Sequence, residues 1–252
     1  MMDAYTHLDT ACADPIADMQ ARMAQAGIAR ALAVETWKGD NLSWLQRIMA
    51  APAPQFRVAP CFRADVNQPF RDVLQHAAVV GLRVRTADLH RLHELAAWLA
   101  ASGKWLIPHA ESGIGPLRKA LLALLERAPG LRIYLPHLGW PRQDKRDDPE
   151  WEAAVSEFRS IPGMVVGISA LEHFSRAPFP HEDVKPFAAR LMEIFAPASM
   201  VAASDYPLIE KSLYAQYMHL AQAWILEVDA RWSPRFEQAF EDRPSPRSDV
   251  CV

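Results

Sequence analysis

The chain has 252 residues, 50% of them hydrophobic and 23% charged, with 27 Lys and Arg against 30 Asp and Glu for a net charge of -3. That balance builds a core, leaves no basic run to attract a phosphate backbone, and so gives no expectation of a nucleic-acid partner. The longest apolar runs, Leu95 to Ala101 and Leu121 to Leu125, fall far short of the roughly 18 residues that span a bilayer, so no membrane partner is expected either.

Met1 to Asp9 lack a basic start followed by an apolar stretch and a cleavage site, and the expected location is cytoplasmic. Short apolar segments then recur along the chain, each followed by a polar turn and a stretch of helical period. Strands are expected over Met2 to Thr6, Arg30 to Glu35, Phe56 to Phe62, Val79 to Val84, Lys104 to His109, Leu131 to His137, Met164 to Ser169 and Ser199 to Ser204. Successive strands leave room for a crossover helix and two loops, which requires parallel pairing. Asp14-Pro15 and Asp148-Pro149 read as helix N-caps followed by Pro in the first turn, where a missing N–H costs nothing. Gly27, Gly103, Gly130 and Gly163 stand just before strands and suit helix ends. No Pro-rich or Ser-rich linker interrupts the run. Residues 1–241 are therefore expected to form one domain, an α/β (β/α)8 barrel of the TIM type, with 242–252 a flexible tail. Cys12, Cys61 and Cys251 are odd in number and lack CxxC spacing, which suggests neither a disulfide framework nor a thiolate cluster; Cys61 is expected to pack and Cys251 falls in the tail.

In such barrels chemistry gathers at the C-terminal ends of the strands. Strand one ends Thr6-His7-Leu8-Asp9, and a spacing of two puts His7 and Asp9 on one side with Leu8 toward the helices. Strand five ends Pro108-His109-Ala110-Glu111, strand six Leu135-Pro136-His137, and strand eight Ser204-Asp205-Tyr206-Pro207. One histidine at a strand end is more often hydrogen-bonded to a carbonyl than used as a ligand, but four ionisable endings around one cavity favour a site. His76, His90, His93 and His219 lie on helical stretches and are assigned to surface or interhelix contacts, with Glu172 and His173 as weak rim candidates and His181 in the same loop. Arg83 and Arg85 close strand four, while Arg63 and Arg142 follow strands three and six. The fixed two-pronged geometry of guanidinium suits carboxylates, so the expected partner is a small anionic substrate; surface ion pairing is about as good an account of any one of them, and homo-oligomer formation is left open.

Asp3-Ala4-Tyr5-Thr6-His7-Leu8-Asp9, Gly81-Leu82-Arg83-Val84, Pro108-His109-Ala110-Glu111, Pro136-His137-Leu138-Gly139-Trp140-Pro141 and Ala203-Ser204-Asp205-Tyr206-Pro207 together resemble the amidohydrolase superfamily. The likeness is to its amidohydrolase-related branch, which holds lactonases of pyrone dicarboxylate and of sugars together with aminocarboxymuconate semialdehyde decarboxylases. It covers roughly residues 2 to 225 and implies a distorted barrel. It also implies one divalent metal, zinc, held by a HxH pair on strand one, a His on strand five and an Asp on strand eight. His7, His109 and Asp205 match those positions, and Asp9 stands where the second His is expected, so the implied ligands are His7, Asp9, His109 and Asp205. No Lys closes strand four, against a two-metal centre, and some lactonases of the branch work without metal, the alternative for this chain.

The resemblance further implies hydrolysis of a small carboxylated lactone, ester or amide. Asp205 would take the proton of the attacking water, and His137, with His7 and His109, would serve the developing oxyanion. Arg83, with Arg85 or Arg142, would anchor a carboxylate, Glu111 and Tyr206 completing the substrate set. The alternatives are nonoxidative decarboxylation of a small aromatic or enoic acid, and a non-catalytic barrel that binds a small acid.

Overall fold

A computed structural model describes residues 1–37, 42–50, 55–64, 68–142, 148–230 and 232. The expected tail over 242–252, with Cys251, lies outside the described residues. Eight strands lie among the described residues, all where the sequence places them: β1 (Met2–Thr6), β2 (Arg30–Val34), β3 (Phe56–Ala59), β4 (Gly81–Arg85), β5 (Trp105–His109), β6 (Arg132–Leu135), β7 (Val165–Ile168) and β8 (Met200–Ala202). The helices that separate and follow them are α1 (Pro15–Ala26), α2 (Leu42–Ala50), α3 (Gln68–Gln75), α4 (His93–Ala101), α5 (Ile114–Leu125), α6 (Pro149–Phe158), α7 (Leu171–Phe174), α8 (Lys185–Ile194) and α9 (Tyr214–Val228). The Asp14 carboxylate accepts from the N–H groups of Ile16 and Ala17 at 3.1 and 3.2 Å and so starts α1, a cap typically worth about 1 kcal/mol. None of these helices is long and apolar enough to cross a membrane.

The pairing is parallel in two runs, β1-β2-β3 and β4-β5-β6-β7-β8. Single contacts span the two seams. Between β3 and β4, Val58 bridges Val79 and Cys61 bridges Arg83, with the Arg83 N–H donating to Pro60 O at 2.8 Å. Between β8 and β1, the Asp205 N–H donates to Tyr5 O at 3.0 Å and the His7 N–H to Tyr206 O at 2.6 Å. The fold is a (β/α)8 barrel, distorted where the ladder thins at these seams.

Period-two alternation divides the core. Along β2, Leu32 and Val34 face an inner cluster with Val80, Trp105, Ile107 and Val201, whereas Ala31 and Ala33 face the helices. Gly81 lies opposite Trp105 in the β4–β5 register, and a Cβ there would sit 2.8 Å from the Trp105 carbonyl oxygen. Since backbone cannot yield as a flexible side chain does, Gly81→Ala is expected to lower stability by about 1–3 kcal/mol. Chemical denaturation checks this, and a wild-type midpoint would contradict the close approach.

Candidate active site

Each strand delivers its polar ending to the same end of the barrel. β1 pairs with β2 through a register shift between Asp3 and Thr6. Shifts of this kind re-aim side chains beside active sites. Asp3 is directed to the barrel wall, where its carboxylate accepts from Ser204 N–H (3.0 Å), Ser204 Oγ (2.6 Å), Tyr214 OH (3.1 Å) and Tyr5 N–H (3.2 Å). Burial pushes the Asp3 carboxyl up to about 6, against the lowering effect of those bonds. Ser204 Oγ in turn accepts from the Tyr206 N–H at 2.9 Å, so both neighbours of Asp205 are fixed. Asp205 itself has φ 64, a left-handed conformation that Asp tolerates better than most residues.

The Asp205 carboxylate is the centre of the cluster. Its Oδ1 is buried without a hydrogen-bond partner among the described residues, 3.6 Å from His7 Nε2 and 3.9 Å from His137 Nε2. Desolvation raises the carboxyl to about 7 despite the Arg83 cation, which lowers it. The imidazoles move the other way. Burial, reinforced by Arg83, lowers His7 and His109 to about 3 and His137 well below the ordinary range, so all three are neutral near pH 7.

Tautomers follow from the partners. His7 Nδ1 lies 2.6 Å from Val34 O, which can only accept, so Nδ1 carries the proton and Nε2 keeps a lone pair toward Asp205. His109 Nδ1 lies 3.3 Å from Arg83 Nη2, which can only donate, so its proton sits on Nε2. His137 is held by Ser169 Oγ, 3.0 Å from both its backbone N–H and its Nδ1. Arg83 is buried, gives Nη1 to Glu35 O at 2.8 Å, and lies over the rings of Trp37 (4.1 Å) and Tyr5 (5.7 Å). Trp140 stands edge-on to His109 and His137 at 4.6 and 4.8 Å between ring centroids. Its Nε1 and Arg83 Nε have no acceptor among the described residues.

The tertiary structure thus brings together His7, His109, His137, Asp205 and Arg83, leaves Arg85 and His173 within electrostatic reach of His109, and draws the other candidates elsewhere. Asp9 lies beyond the end of β1, where strand alternation no longer governs direction. Its carboxylate takes Lys211 Nζ, Cys12 Sγ (3.3 Å) and the Ala11 N–H (3.2 Å), which hold it below the usual carboxylate range although desolvation opposes them. Glu111 accepts from the Thr86 and Ala87 N–H groups, both at 3.0 Å, and so shapes the loop after β4. Tyr206 gives its hydroxyl to Asp18 on α1 at 2.7 Å, outside the ring of strands. Arg85 is exposed and covers Trp37 at 4.6 Å, and Arg142 is exposed with its N–H on Asp148 at 2.9 Å. Arg63 pairs with buried Glu35. Glu172 accepts from Tyr217 OH and Glu210 N–H, both at 2.9 Å, and His173 lies within electrostatic reach of His109 and His137. His181 Nε2 lies 2.6 Å from Tyr217 OH. His90 and His219 are exposed.

Tyr5, Glu35, Trp37, Trp140 and Ser169 escape sequence reasoning, although Glu35 and Ser169 close expected strands and Tyr5 stands two residues before His7. The donor set implied for a metal does not assemble. His7 Nε2 and Asp205 Oδ1 converge with open lone pairs, but Asp9 is taken by Lys211 and His109 presents a proton on Nε2 beside a guanidinium. Among the described residues no group of three or more His, Cys, Asp or Glu could hold an ion.

No curated protein sequence matches the chain significantly. Solved structures do match its fold. A proposed 2-pyrone-4,6-dicarboxylic acid hydrolase from Pseudomonas putida shares 15% identity over 95% of this chain and 97% of that one, with a TM-score of 0.76. An amidohydrolase from Burkholderia multivorans, with bound zinc, shares 18% over 94% of each chain, TM-score 0.73. A 2,6-dihydroxybenzoate decarboxylase from Rhizobium shares 10% over 95% and 98%, TM-score 0.58. The profile of the amidohydrolase family matches residues 1–232, nearly the whole described barrel. With its strand-end imidazoles and aspartate at the mouth of that barrel, the chain belongs to the amidohydrolase family.

Proposed function

We propose that the protein hydrolyses a small carboxylated lactone, ester or amide by general-base activation of water at Asp205. One observation carries the reading: a buried carboxylate oxygen without a partner, facing the lone pair of His7 Nε2 across 3.6 Å. Two acceptors so placed call for a molecule that donates to both, and water does. Asp205 takes one water proton as the oxygen adds to the substrate carbonyl carbon. The carbon–oxygen or carbon–nitrogen bond then breaks, and Asp205 returns the proton to the leaving atom. The neutral His109 Nε2–H donates to the oxygen that gains charge, the Arg83 cation lowers the energy of that charge, and His137 stands beside it. Arg85, exposed at the rim over Trp37, anchors the substrate carboxylate. No step runs through a metal, because Asp9 and His109 do not offer the donors its site needs.

The zinc of the Burkholderia structure and the carboxylic substrates named for the other two frame the test. Purified protein, analysed for metals, is assayed on a panel of carboxylated lactones before and after chelation. Ring-opened hydroxy acid formed at an unchanged rate after chelation is the expected result. Carbon dioxide release without ring opening would replace hydrolysis by decarboxylation. Binding of the acids with no turnover, unaltered in Asp205→Asn, would leave a non-catalytic barrel.

A further inference from the structure

We infer that Tyr5 is a catalytic residue of this chain, its phenolic hydroxyl donating a hydrogen bond to the substrate oxygen that becomes negative, in the inner position on β1 from which a second imidazole would meet a metal. The inference rests on the hydrolytic reading of the same site. It is carried by placement. Tyr5 precedes His7 by two residues and is fully buried in the inner cluster of the barrel. Its ring meets that of His7 edge-on at 5.2 Å and that of His137 at 4.5 Å, and the Arg83 guanidinium lies 5.7 Å from its centre. Its carbonyl accepts the N–H of Asp205, so the base and the phenol are tied by one backbone bond.

The hydroxyl is the second observation. Tyr206, Tyr214 and Tyr217 each give theirs to a carboxylate, at 2.7, 3.1 and 2.9 Å. The Tyr5 hydroxyl makes no hydrogen bond with any described residue. It therefore retains a donor for a ligand, on a ring that packs against the imidazoles of His7 and His137. A phenol is an O–H donor and stays protonated near neutral pH, so Tyr5 acts as a donor rather than as an anionic ligand. Asp9, the residue that spacing nominates for the second donor, is occupied by Lys211 outside this ring. The same placement explains why the metal set fails to close: the inward neighbour of His7 is a neutral phenol.

Two measurements test it. Tyr5→Phe keeps the ring contacts and removes only the hydroxyl; kcat on the best lactone should fall about 100-fold with KM within about threefold, as for loss of one oxyanion donor. A kcat within about threefold of wild type overturns the inference. The second measurement needs no substrate. On dialysis against zinc, wild-type protein should retain no stoichiometric ion, Tyr5→His should retain one equivalent, and His7→Ala in the Tyr5→His background should lose it. One equivalent in the wild type, lost on His7→Ala, or none in a folded Tyr5→His, overturns the placement. If no lactone is turned over, the hydrolytic reading fails by itself, and the zinc result still decides whether Tyr5 holds this position.

Discussion

Asp205→Asn is expected to reduce kcat by about 100- to 10,000-fold, the range set by removal of a general base, while the protein stays folded. Asn also tolerates the left-handed backbone that this position requires, and it fills the same volume. In the wild type the base works when deprotonated, and burial holds its carboxyl at about 7, so kcat/KM should rise with pH through about 7 and flatten above it. A rate already flat from pH 5 upward would remove Asp205 from that role.

The same shift has a cost in stability, opposite in sign to the usual carboxylate. The native state binds the Asp205 proton more tightly than the unfolded chain, whose Asp titrates near 3.8. Its contribution is whole below that value and is lost as pH climbs to about 7, by roughly 4 kcal/mol at most for a shift of this size. Asp3, raised to about 6, adds to the trend. Asp205→Asn stays neutral at every pH, so its Tm should match the wild type near pH 4 and exceed it above pH 7. Calorimetry across that range checks the sign, and an Asn variant less stable at pH 8 would contradict it.

Arg83→Met should be nearly as damaging to activity, about 100-fold or more in kcat/KM, because it removes the buried cation beside the developing charge. Arg83 lowers the Asp205 carboxyl and holds down His7, His109 and His137. Without it the carboxyl moves further up, so the acidic limb of the pH profile should shift above about 7 as the rate falls. Lys cannot restore the arrangement, since Nη1 and Nη2 serve Glu35 O and His109 at once and one ammonium lacks that planar fork. A limb at the wild-type position in a folded Arg83→Met protein would show that the guanidinium does not act on the base.

Much of this molecule is written locally. The alternation of Leu32 and Val34 with Ala31 and Ala33, and the caps Asp14 and Asp148 followed by Pro, set the eight strands and several helix starts, because those signals act within a few residues of one another. His7, His109, His137 and Asp205 were legible as strand endings for the same reason, once parallel order was inferred. Direction beyond a strand end was not. Asp9 follows His7 by two, but β1 stops at Thr6, and a lysine about 200 residues later claims the carboxylate. Glu111, Tyr206 and Arg142 likewise find partners in loops and helices that no spacing predicts. Tyr5 was hidden among the apolar residues of a strand until the register shift in β1 and the rings of His7 and His137 gave it a setting. The order of elements and the identity of the strand-end groups follow from the sequence alone, since periodicity and chain connectivity are local. Which lone pairs face an empty partner, which imidazole carries its proton where, and which charges cancel were decided only by the tertiary structure, since each depends on contacts between residues distant in the chain and on burial that the whole barrel creates.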